Sequence, residues 1–275
     1  MPWPPRRESP MTPAMSPPPP ARIAGLYRYP VKGLTPEPLQ TAPLRVGETL
    51  PADRRYALEN GPTGFDPAAP VWKPKTAYLM LMRNERLAGF KCRFDDASNV
   101  LTVRRGDEIV AHGDLESADG RAAIETFFAR EFTEELRGPP KLLSGGGYSF
   151  TDLARKVVSI INLASLAEIE TLVGAPVHPL RFRANVYVTG WPAWHETTLL
   201  GETLTIGSAR VKIVKTTTRC AAVNVDPDTA ARDLDIPPAL LNHRGNTECG
   251  IYAEVIAAGD IAIGDELALE QPRLV

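Results

Sequence analysis

The sequence is divided into many short strand-like segments separated by turn residues, and this pattern limits the folds that it can adopt. β-branched and aromatic residues predict strands in the first half at residues 22–29, 53–59, 78–81, 100–104 and 108–112. The same signals return later, at residues 181–190, 204–206, 211–215, 251–256 and 261–269. Many short strands with few helices are typical of a β-barrel or sandwich to which helices are added.

Two segments have helical periodicity instead. In residues 119–136 the apolar side chains recur near the helical period. In residues 165–174, Ser165 and Glu168 have the spacing of a capping box, and Gly174 suits the C-terminal end. We therefore predict a mostly β fold with a few helices, of the α+β class.

The chain has 275 residues, enough for one large domain or two modest ones, each with its own core. Residues 1–20 contain nine prolines and are predicted to be a disordered tail outside the fold. A net charge of −2 gives no indication of nucleic-acid binding. No apolar run approaches the roughly 20 residues of a membrane span, so we expect no membrane partner.

The three cysteines, Cys92, Cys220 and Cys249, are too few and too scattered for a disulfide scaffold. None of them forms a C-x-x-C pair, and the four ligands of a typical iron–sulfur cluster are missing. An odd number of cysteines without a signal peptide favours a reducing compartment, and we expect a cytoplasmic protein.

Cys220 is the candidate reactive residue. It ends a strand-like run that carries Lys212 and Lys215, and Arg219 is its neighbour. Fixed positive charge favours the thiolate, which attacks electrophiles and binds soft metals. Residues 226–229 then have the composition of a turn, so we expect Cys220 where a strand gives way to a loop. A buried, inert cysteine is the alternative, and residue chemistry alone leaves both open.

Arg181, Arg183 and Asn185 alternate within the predicted strand 181–190, so they are expected on one face of it. Guanidinium and amide donors in this arrangement suit an anion such as a phosphate. An ordinary exposed strand face has the same pattern, however. The glycine-rich residues 144–147 similarly fit either a phosphate contact or a flexible linker.

Several motifs together resemble the MOSC family, named for the C-terminal domain of molybdenum-cofactor sulfurase. They are Y-P-V-K-G at residues 29–33, D-R-R-Y at 53–56, R-F-R-A-N at 181–185, R-C with V-D-P-D-T between 219 and 229, and the closing strands at 250–265. The resemblance is to members that also have an N-terminal β-barrel domain. It implies two β-barrel-like domains, an N-terminal one at residues 21–145 and a MOSC domain at residues 146–275.

In this family a molybdenum ion is held by two dithiolene sulfurs of a pterin cofactor and by one protein cysteine. The resemblance implies that Cys220 is the metal ligand and the catalytic residue. It assigns cofactor contacts to Lys32, Arg54, Asn162, Arg183, Asn185, Thr218 and Arg219. The implied cofactor is the molybdenum cofactor (Mo-molybdopterin), and pyridoxal phosphate is not expected. Ala184, Gly33 and Ala230 depart from the usual motifs without removing the ligand cysteine.

The resemblance therefore implies a molybdenum-cofactor-dependent oxidoreductase that reduces N-hydroxylated small molecules. Its electrons would come from a separate reductase or ferredoxin, since the chain has no cysteine set for a cluster of its own. One alternative is a sulfur or molybdenum-cofactor carrier, in which Cys220 holds a persulfide or a metal without turnover. Another is a binding module with an inert Cys220.

Overall fold

The computed structural model describes residues 20–270 of the chain. Residues 1–19 lie outside this range, so the disordered tail at residues 1–20 stays a prediction. The strands are β1 Ala21–Arg28, β2 Glu37–Leu39, β3 Thr41–Leu44, β4 Ala57–Leu58, β5 Lys91–Asp95, β6 Val100–Arg105, β7 Glu108–Asp114, β8 Leu142–Leu143, β9 Val158–Asn162, β10 Val186–Thr189, β11 Thr203–Ile206, β12 Ala209–Thr218, β13 Glu248–Ala257, β14 Gly259–Ala262 and β15 Glu266–Leu269. The α-helices are α1 Ala118–Glu131, α2 Leu163–Val173 and α3 Ile236–Arg244.

A closed β-barrel is the main structural unit. The strands are ordered β10-β9-β13-β12-β11-β15-β1-β2, and β1 also pairs with β10, which closes a ring and leaves β2 outside it. All pairings in the ring are antiparallel except β9 with β10. Inward-facing aliphatic side chains fill the barrel, among them Ile23, Ile160, Val186, Val211 and Ile251. The predicted mostly β fold with barrel architecture is thus confirmed.

The remaining strands form three small sheets. β5, β6 and β7 make one, against which α1 packs, while β3 pairs with β14 and β4 with β8. Around α1 lies a second core rich in phenylalanine, with Phe90, Phe127, Phe128 and Phe132 in mutual contact. Residues 20–270 thus contain one closed barrel beside these open sheets. Its strand β1 precedes residue 146, so the barrel draws on both predicted domains.

Two predicted strands are mostly absent. Of residues 53–59 only Ala57–Leu58 is a strand, and residues 78–81 contribute a single bridge, between Tyr78 and Glu59. Asp53 and Arg54 lie in turns instead, and Arg54 has a left-handed backbone with φ of 51°. The β-rich composition there reflects burial of side chains rather than membership of a sheet.

The helices also differ in detail. α2 begins after Asn162, whose side chain accepts a hydrogen bond from the Ala164 backbone, so Ser165 is not the cap. Ser165 donates instead to the buried carboxylate of Glu196, a tertiary contact that the local pattern does not show. The sequence patterns do not predict α3, because two prolines lie at its start. Proline is nevertheless tolerated in the first helical turn. Within residues 20–270, no helix is long and apolar enough to cross a membrane.

A close backbone contact holds α1 on its sheet. A Cβ atom added to Gly120 would lie 2.1 Å from the Asp114 carbonyl oxygen, and one added to Gly113 would lie 2.4 Å from the Gly120 carbonyl oxygen. Both separations are shorter than van der Waals contact. Glycine is therefore required at this crossing because the helix touches the strand backbone directly.

We predict that Gly120→Ala lowers the free energy of unfolding by about 1–3 kcal/mol, the usual range for an overpacked site. Helix propensity alone would raise the free energy of unfolding of this variant by about 1 kcal/mol. A lower free energy of unfolding therefore identifies the steric clash. Denaturant unfolding measures it. Gly146→Ala is the control, since among the described residues no heavy atom beyond its own chain neighbours lies within 4 Å of the added Cβ atom. Unchanged stability of Gly120→Ala would contradict the close approach.

Candidate functional site

A cleft between the barrel and the N-terminal segments collects most of the residues that the sequence singles out. It encloses about 990 Å³, including its opening to solvent. Its cationic lining consists of Lys32, Arg54, Lys75, Arg181, Arg183 and Arg219. The cleft also contains Cys220, Asn185 and Thr218. Residues from distant parts of the chain thus come together in one cleft with a positively charged lining.

Cys220 lies where the sequence predicts, between the end of β12 at Thr218 and a 3-10 helix that begins at Ala221. It is partly exposed, whereas Cys249 is buried. The turn after it is also confirmed, because the Asp226 carboxylate accepts hydrogen bonds from the Asp228 and Thr229 backbones. The Cys220 side chain is therefore placed at the wall of an accessible cavity.

The predicted strand 181–190 is largely wrong. Pro179–Phe182 is a 3-10 helix, Arg183 has a left-handed backbone with φ of 53°, and the strand begins only at Val186. Proline favours the first position of the helical turn and accounts for this start. Arg181, Arg183 and Asn185 therefore do not share a strand face, although all three line the cleft.

Arg181 has a structural role in this cleft. Its side chain is buried and forms ion pairs with Asp226 at 2.8 Å and Asp233 at 2.7 Å. It also donates to the Asn224 carbonyl oxygen at 2.9 Å. These partners neutralise its charge and join the arginine segment to the loop that follows Cys220.

Two other arginines pack against one tyrosine ring. The guanidinium carbon of Arg54 lies 4.6 Å from the ring centroid of Tyr29, and that of Arg183 lies 4.3 Å from it. Arg54 forms an ion pair with Asp53 and donates to the Arg183 carbonyl oxygen at 3.0 Å. Burial, reinforced by repulsion from Arg54, lowers the pKa of Arg183. Two cations held this close form a site for an anion.

Lys32 and Asp152 form a pair beside these arginines. The Lys32 ammonium contacts Asp152 and donates to the Phe150 carbonyl oxygen at 2.9 Å. Burial lowers the pKa of Lys32 despite the attraction of Asp152. Burial alone would raise the pKa of Asp152, but Lys32, Arg54 and Lys75 lower it to about 2. Asp152 is therefore an anionic residue in an otherwise cationic cleft.

The residues next to Cys220 carry polar atoms without a protein partner. Arg219 donates from Nε to the Cys249 carbonyl oxygen at 2.7 Å and from Nη1 to the Phe182 carbonyl oxygen at 2.9 Å. Its Nη2 atom, however, is buried without a hydrogen-bond partner among the described residues, as is Oγ1 of Thr217. Leaving such groups unpaired is costly, so both are suited to a polar ligand.

Two of the predicted cofactor contacts are already bonded to the protein. Asn162 does not line the cleft; it caps α2 and donates to the Pro192 carbonyl oxygen at 2.8 Å. Asn185 does line it, but its Oδ1 accepts from the Ser159 hydroxyl at 2.8 Å and its Nδ2 donates to the Tyr27 carbonyl oxygen. A cofactor role stays a prediction for both residues.

Sequence reasoning missed Lys75, Asp152, Thr217 and Tyr252 in the cleft. Lys75 follows a loop without regular structure and begins a short 3-10 helix, Lys75–Ala77. Burial lowers its pKa, but attraction and hydrogen bonding from Cys220 outweigh this effect and leave it raised. No local motif signals this position, because its partner lies far along the chain.

Arg232 connects the two walls of the cleft. Its Nη1 atom donates to the Ala221 carbonyl oxygen at 2.7 Å, next to Cys220. Its Nη2 atom donates to the Leu81 and Met82 carbonyl oxygens at 3.2 Å and pairs with Glu85 at 3.0 Å. One side chain thus ties the Cys220 loop to the N-terminal wall.

We predict that Arg232→Met speeds backbone amide exchange at residues 80–83 and 220–224 by about tenfold or more, since each lost bond contributes about 1 kcal/mol. Hydrogen–deuterium exchange with mass spectrometry measures it. Arg210→Met is the control, because it removes a surface pair with Glu270 instead. Unchanged exchange in both cleft segments would refute the bridging role.

A second prediction concerns pH. Asp152 has a pKa below its ordinary value of 3.8, so its ion pair stabilises the fold above that pH and loses this contribution as the pH falls through about 2. Lys32→Met should therefore raise the pH at which the Asp152 carboxyl group is half-protonated towards 3.8. Carbon-13 NMR of that carboxyl group measures this midpoint. Lys91→Met, which removes a surface partner of Asp228, should leave it near 2. An Asp152 midpoint of 3.8 in the wild type would disprove the pairing.

The described residues hold no ready-made cluster of metal ligands around Cys220. Within residues 20–270, no group of three or more histidine, cysteine or acidic side chains could hold a metal ion. Cys220 could thus contribute one soft ligand to a metal whose other ligands belong to a cofactor.

Comparison with known proteins supports the resemblance. The model of the MOSC domain matches residues 143–268. Mitochondrial amidoxime reducing component 2 of Bos taurus is 32% identical over 120 residues, which are 39% of this chain and 35% of the relative. Its Homo sapiens counterpart is 32% identical over 118 residues, 38% of this chain and 35% of the relative. The chain thus spans about a third of the length of these curated relatives.

Among solved structures, YiiM from Geobacillus stearothermophilus is 21% identical with a TM-score of 0.34, over 42% of this chain and 55% of that one. The YUAD protein from Bacillus subtilis is 15% identical with a TM-score of 0.44, over 90% of this chain and 94% of that one. The residues matched by the family model include Arg183 and Cys220 and the motifs around them. Residues 143–268 of this chain are therefore a MOSC domain.

Proposed function

We propose that the protein is a molybdenum-cofactor-dependent oxidoreductase that reduces N-hydroxylated small molecules. The observation that carries the proposal is an accessible thiol, Cys220, in a cationic cleft with unpartnered buried donors on Arg219 and Thr217. The substrate class comes from the mammalian relatives, whose name describes amidoxime reduction.

The donors of the cleft suit a pterin cofactor with a phosphate group. Such a cofactor is anionic, and a guanidinium offers it planar, bidentate donors. Arg54, Arg183 and Lys32 meet at one end of the cleft and are the residues we assign to the phosphate. Thr217, Thr218 and Arg219 are those we assign to the cofactor beside the metal. The unpaired Nη2 and Oγ1 atoms there would gain partners.

When bound, the cofactor supplies a metal that can pass two electrons to a substrate. The protein side chains bind and orient it: Cys220 provides a thiolate ligand, and the surrounding cations stabilise negative charge. In the net reaction the N–O bond of an amidoxime breaks, two electrons and two protons are taken up, and an amidine and water leave. The electrons come from a separate reductase or ferredoxin, which is part of the proposal.

The test is to produce the protein in a host that makes the cofactor and then to measure bound molybdenum and benzamidoxime reduction with a reduced dye. We predict that Cys220→Ala loses the metal and at least about 99% of the activity, as expected for a group essential to the site, while the cofactor-free variant melts at the same temperature as the cofactor-free wild type. Cys92→Ala is the control, because Cys92 packs in the N-terminal core and does not line the cleft.

The outcomes separate the alternatives. Wild-type protein that lacks both molybdenum and pterin would refute the proposal. Protein that binds the cofactor, hands it or sulfur to an acceptor, and reduces no N-hydroxylated compound would be a carrier. A Cys220→Ala variant with full metal content and activity would exclude Cys220 as the ligand.

A further inference from the structure

Lys75 is a cleft cation that the cofactor assignment does not use. Of the six cationic side chains, Lys32, Arg54 and Arg181 form ion pairs with carboxylates. Among residues 20–270, Arg183, Arg219 and Lys75 form no such pair. The first two are themselves assigned cofactor contacts, and their charges offset those of a phosphate. Lys75, which has Cys220 as its hydrogen-bonding neighbour, is therefore the cleft cation that neither a carboxylate ion pair nor the cofactor assignment uses.

The position of Lys75 separates it from the phosphate end of the cleft. Lys32 pairs with Asp152 and lies near Arg54 and Arg183, the two arginines that pack against the Tyr29 ring. Lys75 shares Asp152 as a neighbour with Lys32, but its other charged or polar neighbours are Cys220 and Tyr252. Its ammonium group thus lies on the side of the cleft where Cys220 is, and where a substrate must approach.

The wall next to Lys75 is apolar. After the short helix that Lys75 begins, the same segment contributes Met80, Leu81 and Met82 to the lining, and Ala222 and Val223 face the cleft from the Cys220 loop. Methionine side chains adapt to varied apolar shapes. One segment of chain therefore offers an ammonium group together with an adaptable apolar surface.

Resting on the proposed function, we propose that Lys75 determines substrate specificity and that the cleft selects N-hydroxylated molecules with an apolar body and a negatively charged group. No carboxylate of the described residues forms an ion pair with the Lys75 ammonium, so an anionic group of the substrate can do so. The apolar body of the substrate then covers the surface formed by Met80, Leu81 and Met82. A neutral analogue adds no such contact and leaves the ammonium with its protein neighbours, Cys220 and Asp152.

The experiment compares 4-carboxybenzamidoxime, which is anionic, with neutral benzamidoxime. Binding is measured by calorimetry on the cofactor-loaded protein without an electron donor, and turnover separately with reduced dye. We expect the wild type to bind the anionic compound about tenfold more tightly, as one charge-assisted contact allows, with a matching difference in KM. Lys75→Met should abolish this preference and leave bound molybdenum unchanged. Lys73→Met is the control, since Lys73 is on the same loop but does not line the cleft.

The outcomes distinguish this inference from the function on which it rests. Equal wild-type affinities for the two compounds, or a preference that survives Lys75→Met, would overturn it. Loss of molybdenum in Lys75→Met would also overturn it, by making Lys75 a cofactor contact. Selective binding that depends on Lys75 but without turnover of either compound would support the inference and refute the reductase proposal.

Discussion

Confinement of positive charge around Cys220 is the constraint on which the rest of the site depends. Like charges this close repel one another, and burial weakens the ability of water to screen them. The Tyr29 ring, fully buried, packs against both Arg54 and Arg183 and so holds their guanidinium groups in place. Burial, with a smaller contribution from Arg54, lowers the pKa of Arg183 and so disfavours its charge. An anion in the cleft offsets this effect, which is why the geometry favours an anionic cofactor.

The MOSC domain by itself holds only part of this arrangement. Residues 143–268 include Cys220, Arg183 and Asp152, but Lys32, Arg54 and Lys75 precede them. Strand β1 belongs to the barrel and leads into Tyr29, and Arg232 ties the Cys220 loop back to residues 81–85. The cleft therefore depends on packing between the N-terminal segments and the barrel, and its specificity can change through residues outside the MOSC domain.

Sequence patterns located the barrel strands β1, β11, β12 and β13 and the place of Cys220, because alternation and turn residues are local signals, but they missed β9. They failed at residues 181–190, where Arg183 adopts a left-handed backbone that tertiary contacts impose. The same holds for Arg54. Ser165 satisfied a capping pattern but binds the buried Glu196 instead. The sequence did not predict Lys75 as a cleft residue, because the fold, and no sequence motif, brings it close to Cys220.

In the proposed enzyme the Cys220 sulfur would be a ligand of a metal carried by a pterin. X-ray absorption at the molybdenum edge on the loaded protein tests this coordination most directly, because the number of sulfur neighbours can be counted. The account predicts one sulfur more than the two dithiolene sulfurs of the cofactor. A shell containing the dithiolene sulfurs alone would contradict it.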